Sequence, residues 1–247
     1  MEYKKTLSFV LPVYNEEENI VPIYSELLQV MKDLQGLYEY EIIFVNDGST
    51  DKSWTVIAQL CRKDIHTHGV NLSRNFGKEI ALSAGINESQ GDCVITLDSD
   101  GQHPVEKIPD FLKYWEEGYE IVYNTRPGNQ DASLIKKMSS MLFYKVFNSI
   151  SEFQLEPGTT DYRLLDRIVV EAYKKCGEKN RMYRGLIDWL GFKRKSIIFQ
   201  SPKRIHGKSV YTYRKLLKLA VNNVTSFSFF PLKFVGFLGV IITFSAS

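Results

Sequence analysis

The chain reads as an α/β protein with a mainly parallel central sheet, and three observations predict it. Four short β-like runs, "LSFVLPV", "YEIIFV", "GVNL" and "DCVITL", alternate with "EENIVPIYSELLQVMKDL", "KSWTVIAQLCRK" and "KEIALSAGINES", whose apolar residues recur at three- and four-residue spacing. Strands alternating with helices imply βαβ units with right-handed crossovers. A polar cluster follows every run: "VYNEEE", "NDGSTD", "SRNFGK" and "DSDGQHP". Ligands of open α/β sheets bind beyond the carboxyl ends of the strands, so the four turns predict one shared site.

After "PDFLKYWEEGYEIVYNTRP" the pattern loosens. "SLIKKMSSMLFYKVFNSI" predicts an amphipathic helix, "TTDYRLLDR" a short strand or a turn into the helix "IVVEAYKKC", and "KRKSIIFQ" a strand. "YTYRKLLKLAVNNV" predicts an amphipathic helix with a cationic face, which beside an apolar segment belongs at a lipid interface.

With 247 residues the chain can hold one large α/β domain, or one domain plus an appendage. Cys61, Cys93 and Cys176 are scattered and form no CxxC, so neither a disulfide framework nor a zinc site is suggested and a reducing cytosolic setting is expected. The net charge of +2 hides a split: residues 1–192 carry 21 Lys+Arg against 29 Asp+Glu, and residues 193–247 carry 10 against none. The basic end runs into "FSFFPLKFVGFLGVIITFSAS", so the predicted partner is a membrane and not nucleic acid. Trp54, Trp115 and Trp189 read as core or rim aromatics, and their spacing makes no stacking platform.

Past Lys233 only 14 residues remain, about 21 Å of helix against a hydrocarbon core of about 30 Å, so the sequence is expected to stop inside its first membrane segment. A buried core helix is the competing reading. The predicted organisation is a folded domain over 1–209, an interface helix over 210–226 and the start of a transmembrane segment over 227–247. Lys and Arg before the apolar stretch place the folded domain on the cytoplasmic side. The start "MEYKKTLSFVLPVYNEEEN" does not predict a signal peptide, because its apolar stretch is short, contains Pro12 and runs into acid.

Asp98 and Asp100 stand at i and i+2, which on an extended backbone puts both carboxylates on one face. Such groups raise each other's proton affinity unless a cation compensates. Hard oxygen ligands suit Mg²⁺ or Mn²⁺, completed by substrate phosphates and water, with Gln102 as a further oxygen donor. An Asx-turn or a helix cap before Pro104 is the alternative. Asn46-Asp47-Gly48 likewise reads as a turn whose neighbours Ser49, Thr50 or Asp51 cap the next helix. Arg74 and Lys78 around Gly77 suit an anion or a solvated loop, and His103 reads as a turn residue.

Taken together and in order, "FVLPVYNEEENI", "IIFVNDGSTDKS", "NLSRNFGKEIALSAGI", "GDCVITLDSDGQHP" and "TTDYRLLDR" resemble the inverting glycosyltransferases of family 2. Within them the resemblance is to dolichol-phosphate mannose synthases and bacterial polyprenyl-phosphate glycosyltransferases. It implies a GT-A-type, nucleotide-sugar-binding α/β fold in which Pro12, Tyr14, Asn15, Glu16, Asp47 and Lys78 hold the donor nucleotide. Asp98 and Asp100, helped by Gln102, would hold Mg²⁺ or Mn²⁺ against its diphosphate. Asp161 matches the position of a catalytic base, or of a group that orients the cationic acceptor site. Arg126, Arg163 and Arg204 are candidates for holding phosphate groups. "RIHGKSVYTYRK" resembles the group's acceptor loop through Arg204, Gly207, Ser209 and Tyr211; Val210 stands where a Lys is usual, and Lys208 is expected to supply that charge. Gly101 stands where the group often has Leu, a change expected to alter packing and not the metal ligands.

The implied activity is inverting transfer of one sugar from a nucleotide donor, a uridine one such as UDP-glucose, to undecaprenyl phosphate or a similar polyprenyl phosphate at the cytoplasmic membrane face. Members of the group can be homo-oligomers. One rival is a transferase acting on a polysaccharide or soluble acceptor, although "RMYRGLIDWLGF" stands where processive synthases carry Gln-x-x-Arg-Trp. The other is a non-catalytic nucleotide-sugar-binding protein.

Overall fold

A computed structural model describes residues 4–34, 36–125, 158–176 and 183–199. All belong to the first of two units into which the chain divides, residues 1–128 with 158–207, the second being 129–157 with 208–247. The four predicted runs form β1 (Thr6–Val13), β2 (Glu39–Asn46), β3 (Thr67–Asn71) and β4 (Cys93–Thr96). Between them lie α1 (Ile20–Asp33), α2 (Ser53–Lys63) and α3 (Lys78–Glu88). A single 3-10 turn at Val105–Lys107 leads into α4 (Ile108–Glu116), followed by β5 (Ile121–Thr125), β6 (Thr159–Asp166), α5 (Arg167–Lys175), α6 (Tyr183–Trp189) and β7 (Arg194–Ile198).

Seven strands form one sheet in the order β3-β2-β1-β4-β6-β5-β7. Every described pairing is parallel except the two made by β6, which is antiparallel to β4 and to β5. The segment read as a short strand or a turn is therefore an eight-residue strand inside the sheet. Its residues Thr160 to Leu165 are all buried, so the strand is covered on both faces and its charged residues Asp161 and Arg163 lie in the interior. Because β6 runs backwards, its first residues, Asp161 among them, reach the same edge as the carboxyl ends of the other strands.

Strand periodicity sends alternate side chains to opposite faces. Leu7, Phe9 and Leu11 of β1 pack with Leu27 of α1, Ile57 of α2 and Phe111 of α4, whereas Val10 faces Leu82 of α3, Val170 of α5 and Ile187 of α6. The sheet thus lies between two helical layers. Gly85 sets how close α3 comes: a Cβ there would stand 2.9 Å from Val45 Cγ2 and closer still to Val10 Cγ1. That approach delivers Lys78, the first residue of α3, to the functional edge.

Arg126, Arg204, Lys208 and Ser209, the predicted helix at 133–150, the interface helix and the transmembrane segment lie outside the described residues. Among the described residues, no helix is long and apolar enough to cross a membrane.

Candidate active site

The turns at the carboxyl edge hold one another. Asn15 adopts φ 55°; its Oδ1 accepts from the Thr50 N–H at 2.8 Å, and its own N–H donates to Ser49 Oγ at 3.0 Å. Glu16 N–H donates to Ser53 Oγ at 3.0 Å, and the Glu16 carboxylate accepts from Asn19 Nδ2 at 2.5 Å. Asp47 accepts from the N–H groups of Phe76 and Gly77 at 2.7 and 2.9 Å. Burial pushes its carboxyl up despite those bonds and the nearby Arg74 charge. Gly48, at φ 66°, permits the crossing, since a Cβ would stand 2.5 Å from the Asn75 backbone nitrogen. Asn15, Glu16 and Asp47, expected on the donor, thus stitch three loops into one wall. Tyr14, 46% exposed, is the donor candidate that faces outward.

The acidic pair does not sit on extended backbone as expected. β4 ends at Thr96, and the turn that follows directs Ser99 inward, where its hydroxyl donates to the Pro12 carbonyl at 3.0 Å. Asp98 and Asp100 flank that anchor. The Asp98 N–H donates to His103 Nδ1 at 2.8 Å, and the His103 ring is buried, stacked on Tyr162 with centroids 5.0 Å apart. Burial lowers the His103 pKa against the pull of Asp98, keeping the ring neutral and Nδ1 an acceptor. His103 is therefore a buried wedge beneath the acidic turn. Gln102 donates its N–H to Asp100 Oδ1 at 3.1 Å. Gly101 lies at φ 72°, a conformation that strains Leu, so its departure from the family pattern is a matter of backbone and not of packing alone.

Charges alternate along the edge. The Lys78 ammonium contacts the Asp98 carboxylate and lies 2.6 Å from Asp161 Oδ2. Arg184 of α6 also holds Asp161, through Nε to Oδ1 and through Nη2 to Oδ2 at 3.0 Å, and its Nη1 donates to the Thr159 carbonyl at 3.2 Å. Burial opposes ionisation of Asp161, but Lys78 and Arg184 overcome it and hold the carboxyl well below the usual range. Burial is likewise outweighed at Asp98 by Lys78, which keeps that group ionised. Such contacts hold Asp161 between two cations, the orienting arrangement that the resemblance implies as the alternative to a catalytic base. Glu79 accepts from the Tyr183 N–H at 2.6 Å and so fixes the start of α6; burial and the Asp161 charge push its carboxyl up.

Arg163 departs from its expected place on a phosphate. It is fully buried and donates to Asp188 Oδ1 at 2.9 Å and to the Thr160 carbonyl at 3.2 Å. Asp161 and Arg163, two apart on β6, pair with Arg184 and Asp188, four apart on α6. A strand advances about 6.7 Å in two residues and a helix about 6 Å in four, so the two ion pairs stand in register. Glu79 was not anticipated, and Arg184 only as part of the stretch 181–189 expected to meet "TTDYR" around the donor sugar. The available signal was this charge-swapped pattern, acid then base at i and i+2 facing base then acid at i and i+4.

Asp98, Asp100, Asp161 and Glu79 bring four carboxyl groups to one edge, where Lys78 contacts Asp98 and Asp161 and Arg184 holds Asp161. The hard oxygens of the Asp98–Asp100 turn fit a divalent cation whose remaining ligands come from phosphate and water. Among the described residues, no three His, Cys, Asp or Glu side chains converge as a preformed metal centre.

Residues 8–173 match the family described as Glycosyl transferase family 2. Over 237 residues the chain is 43% identical to an uncharacterized glycosyltransferase of Synechocystis, covering 96% of this chain and 74% of that one. It is 36% identical over 236 residues to the bactoprenol glucosyl transferase of Shigella phage SfV, covering 96% and 76% of the two chains. The fold resembles that of Mycobacterium tuberculosis glucosyl-3-phosphoglycerate synthase in complex with Mn²⁺, UDP-glucose and phosphoglyceric acid, with TM-score 0.56 at 17% identity over 89% of this chain and 77% of that one. It also resembles a Pyrobaculum calidifontis mannosyltransferase in complex with GDP-Man and Mn²⁺, with TM-score 0.54 at 14% identity over 83% and 59%. The sheet is that of a GT-A-like α/β fold, mixed and mostly parallel.

Proposed function

The chain belongs to glycosyl transferase family 2 and is a glycosyltransferase, and from that premise we propose that it transfers one sugar to a polyprenyl phosphate. The donor is a nucleotide sugar, UDP-glucose or a similar uridine one, and the acceptor is undecaprenyl phosphate or a similar lipid at the cytoplasmic membrane face. The observation that carries this reading is the alternating series Asp98, Lys78, Asp161, Arg184 at the carboxyl edge of the sheet. It offers acidic ligands at one end and guanidinium N–H groups at the other. Relatives bearing the name bactoprenol glucosyl transferase, and a basic segment running into an apolar one, support the lipid acceptor.

Asp98 and Asp100, with Gln102, would hold Mg²⁺ or Mn²⁺, which when bound supplies neutralisation of the departing nucleoside diphosphate. His103 and Ser99 fix the turn that presents those carboxylates. Lys78 places its ammonium beside Asp98, within reach of a donor phosphate. Pro12, Asn15, Glu16 and Asp47 build the wall of the nucleoside cleft, and Tyr14 stands at its rim. The acceptor oxygen attacks from the side opposite the leaving group and inverts the anomeric centre. A phosphate monoester is ionised near neutral pH, with a second pKa of about 6, so it attacks without a protein base. Asp161 then serves by keeping two cations in place. Arg126, Arg204, Lys208 and Ser209 are further proposed contacts of the acceptor phosphate.

The metal step is tested by chelation and by Asp98→Asn in the full chain. Each is expected to lower turnover by about 100-fold or more while leaving the melting temperature near that of the parent. Turnover within a few-fold of the parent after either treatment would overturn it.

A further inference from the structure

We propose that Arg184 contacts the acceptor phosphate directly, oriented for it by Asp161. The inference rests on the function proposed above and gives a role to a side chain which that reading used only as a neighbour of Asp161.

A guanidinium carries five N–H groups. Three of those on Arg184 go to Asp161 Oδ1, Asp161 Oδ2 and the Thr159 carbonyl. One N–H on each Nη therefore has no partner among the described residues, and the side chain is 36% exposed. Two N–H groups on one rigid plane are the fork that matches two oxygens of a phosphate.

The simpler reading makes Arg184 a strut joining α6 to β6. α6 is already held without it: Arg163 of β6 pairs with Asp188, the Tyr183 hydroxyl lies 2.9 Å from Thr96 Oγ1 of β4, and Glu79 of α3 accepts from the Tyr183 N–H. A strut also needs no second cation on the same carboxylate. Asp161 carries two, Lys78 and Arg184, and Lys78 is shared with Asp98.

Position decides which anion. In the order of contacts Asp98–Lys78–Asp161–Arg184, Arg184 is the member furthest from Asp98, and the donor diphosphate is assigned to the Asp98–Asp100 turn. Inversion requires the nucleophile on the far side of the sugar from that turn, which is the Arg184 end of the series. Asp161 acts here as a positioning residue, since it orients the fork and stays ionised while the acceptor phosphate loses its oxygen lone pair to the sugar carbon.

The test uses the full chain in detergent, with initial rates measured against undecaprenyl phosphate and UDP affinity measured by calorimetry with Mn²⁺ present. Arg184→Gln is expected to raise the KM for undecaprenyl phosphate by about tenfold or more and to leave UDP affinity within about twofold. Arg184→Lys keeps a charge on Asp161 but removes the fork, and is expected to raise the same KM by several-fold; it decides the matter if the Gln variant does not fold. An acceptor KM unchanged in a folded variant overturns the proposal. So does a loss of UDP affinity parallel to the rise in KM, which would assign the fork to the donor diphosphate. If the parent protein binds UDP yet makes no lipid product, it is the acceptor reading above that fails, and the Arg184 variants then have no acceptor KM to change.

Discussion

Replacing Asp161 by Asn removes a buried anion from between Lys78 and Arg184 and leaves two cations facing one another. Breaking a buried pair in this way costs about 3 kcal/mol, so the urea midpoint of Asp161→Asn at pH 7 should lie well below that of the parent. The pH dependence has a definite sign. The two cations hold the native carboxyl below its ordinary range, so as pH falls through about 4 the unfolded chain takes up this proton first. The stabilisation is present above that pH and is lost on further acidification. Urea melts at pH 7 and pH 3 should therefore show the gap between parent and variant narrowing, and a gap that widens at pH 3 contradicts the assignment. Asp98, Lys78 and Asp161 were legible because each stands in a segment that carries the family resemblance. Arg184 was legible only as part of the stretch 181–189 expected to meet "TTDYR", because its pairing with Asp161 arises from a short helix packed on a reversed strand.

The elements deliver these side chains through close packing, and Gly85 tests how. An Ala at this helical site would gain up to about 1 kcal/mol in propensity. Its Cβ, however, would press on Val10 and Val45, and overpacking of this kind costs about 1–3 kcal/mol. Gly85→Ala is thus expected to lower the melting temperature and, because α3 carries Lys78, to weaken donor binding; a melting temperature raised by the substitution would show that α3 does not press on the sheet. Arg163→Met is expected to cost about 3 kcal/mol or more, since Asp188 would lose its buried partner and keep only the Arg194 contact at 3.7 Å. Denaturant melts measure both. The alternation that predicted β1 to β4 and α1 to α3 was plain, as each helix between those strands shows its own apolar spacing. β6 was legible only as a short strand or a turn, and its reversed place in the sheet was not, because its partners are β4 and a β5 separated from it by 33 residues.

At the scale of the whole chain, a site that collects anions and metal occupies a region of net charge −8, followed by a basic, increasingly apolar stretch of +10. We read that division as a catalytic part and a lipid-facing part, so the substrates meet where a nucleotide from water can reach a phosphate from a bilayer. On the proposed reading, the acidic turn takes the donor diphosphate and Arg184 the acceptor phosphate, on opposite faces of one sugar. The most direct test incubates the full-length protein with radiolabelled UDP-glucose, undecaprenyl phosphate and Mn²⁺, and follows the label into organic solvent. Label is predicted in an acid-labile lipid phosphate sugar, dependent on the added lipid and abolished by Asp98→Asn. Label that stays in the aqueous phase or enters polymer, for UDP-glucose and every other uridine sugar tried, would contradict the account.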